Sequence, residues 1–291
     1  MSMTPLTRWL LVLTTVLAVA SCSAVRVAYL GADFFLRQYA EDYLNLDADL
    51  LADWRPQLAE ALARHRAEEL PYLARFFDTA LRGAEQGLDR ARVECLHGQA
   101  LVIYQRHARL AVDLAAPLLA ASGPEQLRAL EARLREDWED ETSSDPKAVA
   151  RRERKRAERY AEATQWWLGG LTPRQEALIQ AATAAMPDTA AAWSTYRRTR
   201  QEGLLHLLRR GGREDEIRAY LTAWLVDHRD LPPSLDEARH KLRDAVVDLV
   251  VRLDQSLSPE QEAQFQRRLR GLRDDFLALQ PRPRLAVANC D

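Results

Sequence analysis

Apolar residues recur at helical spacing almost throughout this chain. Leu127, Leu130, Leu134 and Trp138 step by three or four, as do Ile217, Tyr220, Leu221, Trp224 and Leu225; Leu235, Leu242, Leu249 and Leu253 hold one face by steps of four and seven. In Phe265, Leu269, Leu272, Phe276 and Leu279 the step alternates four, three, four, three, the seam of a packed helix pair. No stretch alternates apolar and polar residues for long enough to seed a sheet. The pattern predicts an all-α fold of antiparallel helical hairpins forming an elongated bundle. Breaker residues at 121–124, 141–146, 169–173, 186–187, 211–212, 231–234 and 256–259 cut the chain into helices of about 12 to 25 residues. Connections this short make neighbours antiparallel. Pro56 and Pro71 fall inside helical pattern, and a kink or short break is expected at each.

The first residues follow another logic. Arg8 precedes an uncharged apolar run at residues 9–20, which small residues follow, the three parts of an export signal. The run of 12 residues covers about 18 Å as a helix, short of a hydrocarbon core of about 30 Å. Val19, Ala20, Ser21 and Cys22 then give an aliphatic residue, two small ones and a cysteine. This resembles the lipobox of bacterial lipoproteins. The resemblance implies that residues 1–21 are a signal peptide, that Cys22 carries the lipid and that 22–291 is the mature domain, divisible into halves 22–145 and 146–285. Three acyl chains, palmitate among them, exceed the two signals that stable anchoring needs. By the sorting rule of such proteins, Ser23 in place of aspartate implies the outer membrane, with the body facing the periplasm.

Without residues 1–21 the chain has 40 Lys plus Arg against 43 Asp plus Glu, a net charge of −3. Nucleic-acid binding, which needs a basic excess, is not expected. Cys95 and Cys290 are a candidate disulfide in an oxidising compartment; the alternative is two unrelated thiols, one buried and one on a frayed tail.

Three places share a phrase: Leu171-Thr172-Pro173-Arg174-Gln175, Leu257-Ser258-Pro259-Glu260-Gln261, and Ser122-Gly123-Pro124-Glu125-Gln126. In the first two a hydroxyl caps a helix, proline takes the first helical position and glutamine reaches back to the cap. Helix-capping chemistry accounts for all three. The LTxxQ phrase is also similar to one in small periplasmic helical chaperones and stress sensors typified by Spy and CpxP, which form cradle-like dimers of helical hairpins; this chain is about twice as long. A wider resemblance is to a family of uncharacterised proteobacterial lipoproteins, a domain-of-unknown-function group. It is carried by the lipobox, an early tyrosine-rich helix (Tyr29, Tyr39, Tyr43), the phrase His65-Arg66-Ala67-Glu68-Glu69-Leu70-Pro71-Tyr72, and Trp166-Trp167-Leu168-Gly169-Gly170-Leu171 running into LTxxQ. It implies a helical outer-membrane lipoprotein and supplies no activity.

Candidates for chemistry are few. His65, Arg66 and Glu69 can share one helical face as a surface motif, and a carboxylate beside an imidazole can serve acid–base work. His228-Arg229-Asp230-Leu231-Pro232 echoes the phrase. The plainer account is that both are helix ends, with His and Arg favoured at the carbonyl terminus and proline stopping the turn. No HExxH, paired-cysteine, GxSxG, P-loop or dinucleotide motif occurs, so no metal or cofactor is expected. Trp166 and Trp167 cannot both face one core stripe. The basic run 151–156 and the acidic run 135–145 read as solvated faces that can pair across a hairpin. The expectation is a non-enzymatic, membrane-tethered protein that binds proteins or envelope polymers, with chaperone-like action as one form of it. The alternative is an envelope hydrolase using the His65 and Glu69 region.

Overall fold

The computed structural model describes residues 24–136 and 145–287, and among them every regular element is helical. Two short helices, α1 (Ala24–Leu30) and α2 (Ala32–Leu44), lead into α3 (Ala48–Arg64). This runs through a π-helical turn, His65–Glu69, into α4 (Leu70–Gln86). The longest helix, α5 (Arg90–Ala121), is followed by α6 (Pro124–Glu136), α7 (Pro146–Leu168), α8 (Pro173–Ala184), α9 (Ala190–Arg209) and α10 (Glu214–Leu221). A second π-helical turn, Thr222–Val226, ends α10, and α11 (Pro233–Asp254) and α12 (Pro259–Ala278) complete the order.

Local chemistry sets these boundaries. The side chains of Asp47 and Asp89 accept from the amides of Leu50 and Arg92 to start α3 and α5. Asn45 and Gly87, both at positive φ, end α2 and α4 just before. The breaks at 121–124, 169–173, 186–187, 211–212, 231–234 and 256–259 all separate helices as expected, while the turns at 45–47 and 87–89 carry no proline to announce them. Residues 137–144, most of the acidic run 135–145, lie outside the described residues. Two of the basic side chains of 151–156 have partners: Arg152 pairs with Asp188 at 2.5 Å and Arg156 donates to the Pro187 carbonyl, pinning the turn before α9.

The two prolines sit in unlike surroundings. Helix α3 continues through Pro56, and no break forms there. Pro71 does not stop its helix either. The π-helical turn just before it widens the backbone, with the Leu70 amide bonded to the His65 carbonyl, and Pro71 then enters α4. The Ala67 carbonyl, whose α-helical donor would be the missing N–H of Pro71, accepts from Arg284 at 3.1 Å. The Pro71 carbonyl in turn accepts from the Ala286 amide, and Arg75 donates to the Ala286 carbonyl, so the C-terminal segment is docked along this irregular turn.

Buried side chains form two unlike cores. One is a single cluster that includes Leu44, Trp54, Leu58, Val112, Leu205 and Ile217, drawn from α2, α3, α5, α6, α9 and α10. The Trp54 indole donates to the Leu114 carbonyl within it. The other core lies between α4, the first half of α5, α7, α8, α11 and α12, and breaks into three small clusters around Leu81 and Leu269, Leu88 and Val247, and Ile179 and Leu249. Helices α4 and α12 are the principal pair of this part, and Phe77 stacks on Phe276 at 5.6 Å as the seam in α12 predicts. Because α9 and α10 share one buried cluster with α2 and α3, while α4 packs with α12, the halves 22–145 and 146–285 do not each hold one core. Helix α5, about 48 Å long by its rise, runs through both cores.

The repeated phrases do more than start helices. Capping boxes form at Thr172 with Gln175 and at Ser258 with Gln261, and Gly123 donates to the Gln126 side chain in the third. The first two also clasp each other. Gln175 Nε2 donates to Gln261 Oε1 at 2.9 Å and Gln261 Nε2 to Gln175 Oε1 at 3.0 Å, joining the N-termini of α8 and α12. Gln175 is fully buried, and Ser256 and the Gly170 carbonyl accept the remaining amide hydrogens.

Candidate functional site

The π-helical turn brings His65, Arg66 and Glu69 to the junction of α1, α3, α4 and α5. Carbonyl oxygens only accept, so the 2.8 Å contact from His107 Nδ1 to the Ile103 carbonyl places a hydrogen on Nδ1 and leaves Nε2 as an acceptor. His65 Nε2–H donates to that nitrogen at 2.9 Å, and His65 Nδ1 accepts from the Tyr29 hydroxyl at 2.7 Å. The result is a chain of hydrogen bonds from Tyr29 through the two imidazoles to a backbone carbonyl. Burial, with help from the neighbouring His107, lowers the His65 pKa to about 4. Burial also raises that of Tyr29. Every ring nitrogen is engaged, so neither imidazole offers a free base. Among the described residues no group of three or more His, Cys, Asp or Glu gathers to hold a metal.

Glu69, four residues on, is buried and so is not a surface group. Arg106 grips it with two hydrogen bonds of 2.6 and 2.8 Å, and the same guanidinium lies 4.0 Å from the centre of the Tyr72 ring. Arg66 leans over the Tyr29 ring at 5.4 Å. The three candidates therefore share a junction, but each is spent on a neighbouring helix. The partners that sequence reading missed, Tyr29, Arg106, His107 and Tyr72, supply most of the geometry.

His228 packs against another part of α5. It follows the second π-helical turn at positive φ and stacks on Tyr104 with ring centres 5.7 Å apart, its pKa lowered by burial. Tyr104 donates to the Leu225 carbonyl. The echo between the two His-Arg phrases thus has a structural counterpart: each adjoins a π-helical turn packed on α5, the first inside a continuous helix and the second at a true helix end.

A second feature had no sequence forerunner. The divided core leaves a pocket of about 360 Å³, open on one side to solvent, between α4, α5, α7, α11 and α12, and sixteen of its nineteen lining side chains are apolar. Phe76, Trp167, Val246, Val250 and Phe265 are among them. Of the three polar residues, Thr164 bonds to the Tyr160 carbonyl and Asp254 accepts from the Leu88 amide, which leaves the half-buried His97 as the polar group facing the space. Trp167 meets Phe265 edge to face here, while Trp166, 47% exposed, turns outward under Arg268, so the paired tryptophans divide as their adjacency requires. Cys95, on α5, is disulfide-bonded, and Cys22 and Cys290 lie outside the described residues.

Residues 42–231 match the family described as "Family of unknown function (DUF6279)". The chain belongs to this family. No curated protein and no solved structure matches it. The DUF6279 region runs from within α2 to the turn after His228. It contains His65, Glu69, Arg106, His107, Tyr104 and His228, and both π-helical turns, but not Tyr29, and it stops short of α11 and α12, which line the pocket.

Proposed function

We propose that this DUF6279 chain is a periplasm-facing lipoprotein of the outer membrane, held by Cys22, that binds apolar segments of other envelope proteins without catalysing a reaction. The carrying observation is the open pocket of about 360 Å³: an apolar pocket in a divided core is what a binding protein needs and what a purely structural bundle fills. The compartment rests on the export signal and the cysteine at its end. The hydrolase alternative has less support, because Glu69 is neutralised by Arg106 and both nitrogens of His65 are engaged.

The test is a holdase assay on the whole chain, using reduced α-lactalbumin as the aggregating client. Wild-type protein should suppress light scattering, and Val250→Arg, which puts a charge into the cavity, should abolish suppression while leaving the helical circular dichroism intact. Equal suppression by both, or none by wild type, would exclude the reading. For the tether, palmitate labelling in the host should be present in wild type and absent from Cys22→Ser.

A further inference from the structure

Among the described residues eleven large apolar side chains are exposed, and six of them fall within thirteen positions of α1 and α2: Val27, Leu30, Phe34, Phe35, Leu36 and Tyr39, each 40 to 70% exposed. Helix α1 buries no residue, and α2 first does so at Ala40. We propose that these exposed side chains of α1 and α2 insert into the lipid surface, as an interfacial contact additional to acylation.

Three observations select a bilayer as the occupant. The exposed apolar residues belong to the two helices that follow Cys22 and end at Tyr39, beyond which α2 turns to Glu41 and Asp42. The charged side chains of this end are matched within the fold: Arg26 pairs with Asp275 and Arg37 with Asp33, both at 2.8 Å. Pairing reduces the desolvation that apposition to lipid would otherwise exact. Phe34, Phe35 and Tyr39 supply aromatic rings suited to the headgroup boundary, with the tyrosine at the polar margin. Tyr29 faces inward to His65, and that bond, with the Arg26 pair, fixes the inserted helices to the body. A contact of this kind would set the orientation of the body on the membrane, which a flexible acyl tether alone leaves open.

The inference rests on the tethering reading only for which end of the chain meets the bilayer. It is tested with the full chain, purified from host membranes, in vesicles of phosphatidylethanolamine and phosphatidylglycerol that carry a diazirine on one acyl chain. After irradiation, peptides covering residues 27–39 should carry lipid adducts, in wild type and in Cys22→Ser alike. Replacing Phe34 and Phe35 together by Asp should lower adduct formation there by at least about tenfold with helix content unchanged. Adducts confined to residues 1–23, or 27–39 cross-linked to a second copy in place of lipid, would overturn the proposal. Absence of an acyl group on Cys22 in the mass of the host protein would count against the tether alone.

Discussion

Burial sets the proton affinity of His65, and this has a consequence for stability. Its ordinary pKa is 6.5, and in the fold it is lowered to about 4. Above pH 6.5 both folded and unfolded chains hold the ring neutral, so its contribution is complete. As pH falls from 6.5 towards 4 the unfolded chain takes up a proton that the folded one refuses, and stability is lost; below about 4 no more is lost through this group. With allowance for its partial exposure to solvent, the effect is on the order of 2 kcal/mol. Carboxylates titrate over part of the same range, so the informative quantity is the gap between wild type and His65→Gln. That gap, read from urea midpoints, should narrow from pH 7.5 to pH 4; a constant gap would rule out the link. The grouping of His65, Arg66 and Glu69 was legible because it is local. Their partners were not, since Tyr29, Arg106 and His107 come from other helices 36 to 42 residues away, and periodicity along one helix carries no information about which helix lies opposite.

At the scale of elements, helix type and most boundaries were legible because capping and proline chemistry act within one turn. Thr172, Ser258 and Gln126 do locally what their spacing implies. The turns at Asn45 and Gly87 are harder to read because a single residue at positive φ followed by an aspartate cap is a weaker signal than a proline. The π-helical turns are illegible because they answer to packing on α5. The reciprocal pairing of Gln175 and Gln261 is also hidden: the same side chains that close each capping box face one another across the α8–α12 contact. Gln261→Ala leaves the buried Gln175 amide without its partner, and should cost about 2 to 3 kcal/mol. Replacing both glutamines should cost little more than that single change, because the second change removes the group the first had orphaned. Denaturant unfolding of the four proteins measures this, and additive losses would mean that the two caps act independently.

For the whole molecule, the deciding fact is that the two cores do not follow the order of the chain. Helices α9 and α10 return to complete the core begun by α2, α3 and α6, whereas α4 waits for α12, the last helix, to cover Ala80 and Leu81. Length and composition could suggest two modest units, but the interleaving depends on long-range contacts. Since α5 contributes Val112 and Ala116 to one core and Val93 to the other, stability should be divisible along that helix. A chain ending at residue 231, where the DUF6279 match ends, keeps every buried residue of the first core and loses Val247, Leu249, Leu253 and Leu269 from the second. Its amides in α3, α6, α9 and α10 should stay protected from hydrogen exchange, while those in α4, the first half of α5, α7 and α8 exchange at least about tenfold faster than in the full chain, a loss of more than about 1.4 kcal/mol. Loss of protection throughout would show a single cooperative unit, and with it that the helices around the pocket cannot part without unfolding the first core. Retained protection in the first core alone would instead mean that the half lining the pocket can loosen while the first core, with the Ala40 and Leu44 end of α2, stays folded.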